Sequence, residues 1–209
     1  MDVRESVLET GERVVFRPIV PDDKQLLQEG LSRLSPEGRY LRFFSPIDHF
    51  TERQLRYLTE IDYEDHFAWV ALLPDNHESP GVGVARWIRL ADEPDVAEGA
   101  VTVVDAYQGR GIGKTLLWLA AYSAIQRGIR CFQVWTLGDN APVSHLMEEL
   151  GAKPGRVEGG VQEFRVPLPA EPSQLEGTPT PLILRAVAEG KLTASVHEDL
   201  RPKTRLERA

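Results

Sequence analysis

The stretch "VTVVDAYQGRGIGKTLLWLAAYSAI", from Val101 to Ile125, decides the fold. It opens on β-branched residues, which favour a strand. Glycines alternate at Gly109, Gly111 and Gly113, and an apolar run with helical periodicity follows. A strand, a Gly-rich turn and a helix in that order make a loop suited to phosphate. Glycine lets the backbone approach a ligand with no Cβ in the way. Successive N–H groups can face one concavity, and a helix starting near Ile112 adds its positive end.

Three phosphate loops compete for this stretch. The ending "GIGKT" looks like an ATPase loop, G-x-x-x-x-G-K-[ST]. Counted back from Gly113, Lys114 and Thr115, its first glycine falls on Gln108. A P-loop also opens a parallel doubly wound sheet, whereas hairpin-like strands precede this one. The dinucleotide pattern G-x-G-x-x-G fails as well. Started at Gly109 its third glycine falls on Lys114, and started at Gly111 it falls on Leu116. The third pattern, Q-x-x-G-x-G, fits at Gln108, Gly111 and Gly113. Such a cradle holds a pyrophosphate through main-chain amides and needs neither a metal nor a catalytic lysine. A plain Gly-rich turn is the competing account, and the elements on either side weigh against it.

Upstream, "ERVVFRPI" reads as a strand stopped by Pro18 and Pro21. "PDDKQLLQEGLSRL" reads as a helix with Pro21 in its first turn and Leu26, Leu27, Leu31 and Leu34 on one face. "SPEGRYLRFF" has Ser35 as N-cap and Pro36 behind it, and "TERQLRYLTEI" has Thr51 as N-cap. "FAWVALL", "VGVARWIRLA" and "VAEGAVTVV" are three strands with short connections, so antiparallel neighbours are expected. Downstream, the long helix runs to about Arg127 and stops at Gly128. "RCFQVWTL" reads as an interior strand, "NAPVSHLMEELG" as a helix and "VQEFRVPL" as the last strand. From Pro169 the chain turns Pro-rich and polar, with a short helical pattern in "LILRAVAEGKL" and a charged end. The expected organisation is a domain over residues 10–168 and an appendage over 169–209.

The bulk numbers narrow the function classes. A chain of 209 residues can bury one proper core. No apolar run reaches the roughly 20 residues of a membrane helix, and the start lacks a signal-peptide plan. One cysteine, Cys131, makes no internal disulfide, and a cytoplasmic location is the expectation. Net charge is −8, which disfavours general nucleic-acid binding. The five histidines form no HExxH pair, so no metal is expected.

With those elements in place, "VAEGAVTVVDAYQGRGIGKTLL" followed by "VWTLGDNAPVSHLMEELGA" resembles the GNAT superfamily of acyl-CoA-dependent N-acyltransferases. "RPIVPDDKQLLQEGLSRLSPEGRYLRFFSP" with "LTEIDYEDHFAWVAL" is similar to the acetyltransferase domain of bacterial protein-lysine acetyltransferases. The likeness covers about residues 12 to 168. It implies an α+β GNAT fold, a mixed, mostly antiparallel splayed sheet flanked by helices. Relatives often carry a further regulatory domain; at this length the catalytic domain alone, with a short tail, is expected. The resemblance places the pantetheine arm of acetyl-CoA in the split, against Val101, Thr102 and Val103. Gln108, Gly109, Arg110, Gly111, Ile112, Gly113 and Lys114 would hold the pyrophosphate, and Asn140 would contact the arm near its thiol.

Acyl transfer to an amine needs a base, because a lysine amine has a pKa of about 10.4. Glu98 is the candidate, ten residues before Gln108 on the strand feeding the loop. It fills the glutamate position of the lysine-acetyltransferase pattern A-E-x-A-V, here Ala97-Glu98-Gly99-Ala100-Val101. A backbone N–H near Val101 to Val103 would serve the oxyanion. The general acid is unassigned: many relatives carry a tyrosine where this chain has Met147, with Ser144 and His145 nearby. Asp62, Glu64 and Asp65 form either a lure for a cationic substrate or a solvated loop. Arg39, Tyr40, Arg42 and Phe43 either line the acceptor side or cover the sheet. The four tryptophans and Cys131 read as core. The implied activity is N-acetyltransfer to a primary amine, a protein lysine first. A small-molecule amine acetyltransferase and a non-catalytic acyl-CoA sensor stand as alternatives. The state implied is a monomer or homodimer.

Overall fold

The computed structural model describes residues 3–137 and 152–177, apart from residues 9, 44, 46 and 79. The elements are β1 (Arg4–Val7), β2 (Arg13–Pro18), α1 (Lys24–Ser32), α2 (Pro36–Phe43) and α3 (Glu52–Thr59). They continue with β3 (His66–Leu72), β4 (Gly81–Arg89), β5 (Val96–Val103), α4 (Ile112–Gln126), β6 (Cys131–Leu137), β7 (Lys153–Glu158) and β8 (Val161–Pro167). The strands form one sheet in the order β1-β2-β3-β4-β5-β6-β8-β7. Among the described strands only the β5–β6 pair is parallel, since α4 carries the chain back across the sheet between them.

The three central hairpin strands sit where their apolar runs place them, and β3 is buried on both faces. β1 and β7 carry no apolar pattern. They are the two sheet edges, all of their residues are exposed, and no buried face leaves a period-two signal.

Each face of the sheet carries its own helix layer. Phe16, Trp69, Ala85, Trp87, Val101 and Phe132 meet α4 in the main core. Gly83 makes that contact possible, because a Cβ there would stand 2.9 Å from Leu116 Cδ1. Trp69 and Trp87 each donate their indole N–H to the Ser123 hydroxyl, at 3.3 and 3.0 Å. Ser123 donates in turn to Ala120 O at 3.0 Å, so the buried hydroxyl is satisfied. On the opposite face, α1, α2 and α3 close a second cluster around Leu31, Leu34, Phe50 and Leu58. Ala68, Val70 and Val84 point to that side.

Local rules hold these helices. Ser35 Oγ accepts from Gly38 N–H at 3.0 Å. Thr51 Oγ1 accepts from Gln54 N–H at 3.3 Å while Gln54 Oε1 accepts from Thr51 N–H at 2.8 Å, a reciprocal cap for α3. Past β8, Leu175 in the 3-10 turn Pro172–Gly177 is fully buried in the main core.

Candidate active site

The sheet opens beside Glu98. The parallel pairing of β5 with β6 runs through Val96–Cys131, Ala97–Phe132 and Glu98–Gln133, and stops there. From Gly99 onward β5 stays paired with β4 alone. Val104 N–H donates to Val82 O on the β4 side. Strand alternation therefore aims the main-chain groups of Val101 and Val103 away from β4, into the gap. Val103 O is taken by the amide nitrogen of Gln108 at 3.1 Å, which also reaches Asp105 Oδ1 at 3.1 Å. Gln108 thus fixes the turn that leaves the strand.

The loop beyond it has the shape its glycines allow. Gly109 and Gly111 hold φ of +73° and +85°, and no atom lies within 4 Å of where their Cβ atoms would be. Gly111 is the N-cap of α4. The turn closes with Thr115 N–H on Gly111 O at 3.1 Å, so the N–H groups of Ile112, Gly113 and Lys114 have no intrahelical acceptor. These donors, the open space before them and the gap-facing amides of β5 fit a diphosphate with an extended arm. Arg110 lies over the Tyr107 ring and pairs with Glu12 Oε2 at 2.8 Å. Lys114 is exposed beside the same helix start. Asp105 Oδ2 accepts from Ser35 N–H at 2.9 Å, which ties the start of α2 to this loop.

Glu98 is half-buried and shares the α1–α3 face of the sheet with Ala100 and Thr102. Its register partner Gln133 is buried and donates to Glu163 Oε1 at 2.7 Å. Burial alone would push the Glu163 carboxyl up. The bonds from Gln133, Arg156 N–H and Arg165 outweigh it and hold the group below the usual range. Above Glu98, Arg42 of α2 is buried, its charge favoured by the Glu98 carboxylate. Arg86, on β4 opposite Ala100, is buried too. Its Nη1 lies 2.8 Å from His66 Nε2 and donates to Leu58 O at 3.2 Å.

Of the weighed helix residues, Arg42 and Phe43 line the cavity under α2, whereas Tyr40 is exposed. No motif in the sequence marks Arg86, His66 or Gln133. A signal existed for Arg86: it stands between Val84 and Ile88 on one face of a strand whose other face carries Ala85 and Trp87. The acidic loop is structural. Asp62 Oδ1 accepts the N–H groups of Glu64, Asp65 and His66, each at 2.9 Å, and Asp65 Oδ1 accepts from Arg89 Nε at 2.6 Å. Trp69, Trp87 and Trp135 are buried and Trp118 is partly so. Cys131 is half-buried rather than core, its thiol pushed up by burial. Asn140, Ser144, His145 and Met147 lie outside the described residues. Among the described residues no group of acidic, histidine or cysteine side chains could hold a metal, and no helix is long and apolar enough to cross a membrane.

Comparison with known proteins agrees with this geometry. The Acetyltransferase (GNAT) family model matches residues 36–152. Acetyltransferase Pat of Mycolicibacterium smegmatis is 36% identical over 188 residues, 86% of this chain and 56% of that protein. The crystal structure of the GNAT domain of S. lividans PAT has a TM-score of 0.69 at 29% identity, covering 79% of this chain and 97% of that one. A cAMP-binding acyltransferase from Mycobacterium smegmatis gives 0.52 at 30% identity, over 90% of this chain and 56% of the other. The chain thus spans a little over half the length of Pat. The family match takes in the strands that part, the glycine loop and Glu98, and the chain belongs to the acetyltransferase (GNAT) family.

Proposed function

We propose that this acyltransferase moves an acetyl group from acetyl-CoA to a primary amine, a lysine of a protein, with Glu98 as general base. The observation that carries the reading is the position of Glu98. It occupies the last paired step before β5 and β6 separate, on the face opposite α4. A thioester laid in the gap by the amides of Val101 and Val103 would bring its carbonyl beside that carboxylate. The amine nitrogen attacks the carbonyl carbon, Glu98 takes the proton directly or through a water, and the carbon–sulfur bond breaks to release the thiolate. A gap-facing N–H of β5 stabilises the oxyanion. The amides of Gly109 to Lys114 hold the diphosphate, with Asn140 as a further contact. Lysine as acceptor follows the likeness to protein acetyltransferases. A catalytic domain over residues 10–168 in the cytoplasm, as monomer or homodimer, completes the proposal.

Thiol release with acetyl-CoA and a lysine peptide tests it. Glu98→Gln should lower kcat by about 10²- to 10⁴-fold. Donor affinity, measured by calorimetry, should hold. Unchanged turnover in that variant removes Glu98 from the mechanism. Donor binding with no thiol release for any amine would leave a sensor module instead. Labelled acetyl-CoA in a cell lysate should mark protein bands; label in small molecules alone would overturn the lysine acceptor.

A further inference from the structure

A cavity of about 70 Å³ lies between α1, α2 and the helix-covered face of β3 to β5. That is room for on the order of five water-sized positions. Its walls are almost all apolar, with Leu31, Leu34, Phe50 and Val70 among them. The polar side chains among them are Thr102 and the arginines Arg42 and Arg86, each arginine only 5% exposed. Burial lowers Arg42 to about 10 and Arg86 to about 9, and Arg42 adds to the second shift by repulsion. Both stay cationic at neutral pH, so a small apolar space holds two positive charges.

Their hydrogen bonding differs. Arg86 is engaged by His66 and Leu58. Arg42 lies over the Phe43 ring, and its Nη1 is buried with no hydrogen-bond partner among the described residues. Folded proteins rarely strand a buried guanidinium N–H, because nothing replaces the lost water. A carboxylate matches the fork of an arginine in shape and charge. The location connects the cavity to the proposed chemistry. Arg86 pairs with Ala100, two residues beyond Glu98 on the same face, about 7 Å along the strand.

We infer that this cavity receives the carboxylate of a small ligand of the transfer reaction, held by Arg42 with Arg86 behind it. The inference rests on the acyl-transfer reading of the β5–β6 gap. The carboxylate has two possible sources, the far end of a dicarboxylic acyl chain or a free amino acid that takes the place of the protein lysine as acceptor.

Succinate alone is the first probe, titrated by calorimetry into the full chain. Wild type should bind it, Arg42→Met should bind it at least about ten-fold more weakly, and Arg42→Lys should fall between. No binding to wild type, or equal binding to Arg42→Met, overturns the inference whatever the transfer activity. Thermal melting is the second readout. Because burial opposes its charge and its Nη1 has no hydrogen-bond partner among the described residues, Arg42→Met should keep a Tm at or above that of wild type. A clearly lower Tm means that Arg42 already has its partner, and also overturns it. Turnover then names the source. A higher kcat/KM for succinyl-CoA than for acetyl-CoA identifies the acyl chain, and a higher value for lysine than for cadaverine identifies the acceptor. Each preference should shrink in Arg42→Met, and a preference that survives unchanged counts against the site. Loss of the proposed function reads differently, as no thiol release from either thioester.

Discussion

Gly111 stands at the N-cap of α4 with φ of +85° and open space on its Cα. Its requirement is conformational, not steric. Gly111→Val would force a β-branched residue into the left-handed region, at a cost of about 1–3 kcal/mol. The same side chain would stand before the N–H groups of Ile112 to Lys114. A lower Tm and weaker CoA affinity are both expected, by thermal melting and calorimetry. A variant that binds CoA as wild type does would place the diphosphate elsewhere. Gly109 and Gly111 were legible in the sequence because a positive φ selects the residue type directly. Arg42 was legible only as an open choice. A guanidinium on an amphipathic helix normally faces water, and only the packing of α2 over β4 and β5 shows it turned inward. The Q-x-x-G-x-G spacing marks Gln108, but only the fold shows its side-chain amide donating to Val103 O. Nothing in a spacing reveals which way one side chain turns.

At the scale of elements, the contact of α4 with β4 depends on Gly83. A Cβ there meets Leu116 Cδ1 at 2.9 Å and Thr102 O at 3.1 Å, and the second is main chain that cannot move aside. Gly83→Val should destabilise the fold by about 1–3 kcal/mol through overpacking, read from urea denaturation. Gly81→Ala is the control, since its nearest atom would be Leu26 Cδ2 at 3.5 Å, an ordinary contact. Equal losses in the two variants would refute the packing account. Periodicity located α1, α3, α4 and the strands β2 to β6 because each buries one side or both. It passed over β1 and β7, whose all-exposed residues lack the signal. The place where β5 leaves β6 came from family resemblance, since strand separation depends on partners far along the chain.

For the whole molecule, acid is the informative stress. Hydrogen bonds from Arg165 hold the Glu93 carboxyl below its ordinary range, and three backbone N–H groups do the same for Asp62 against the opposing effect of burial. Glu163 is lowered likewise. Groups depressed on folding contribute stability above their unfolded pKa values, about 4 to 4.5, and lose it as pH falls through the folded values. Tm should therefore drop on acidification below about pH 4.5, and Glu93→Gln should flatten that drop. A variant as acid-sensitive as wild type would show that the Arg165 pair has no part in it. The opening between β5 and β6 has another consequence. What Val101 and Val103 present there is peptide, and every amino acid supplies the same peptide. Alanine scanning of Val101 to Val103 would disturb the core yet leave those groups intact. Mutational maps would then register the loss of core packing from Val101 and Val103 and say nothing of the peptide groups that face the opening.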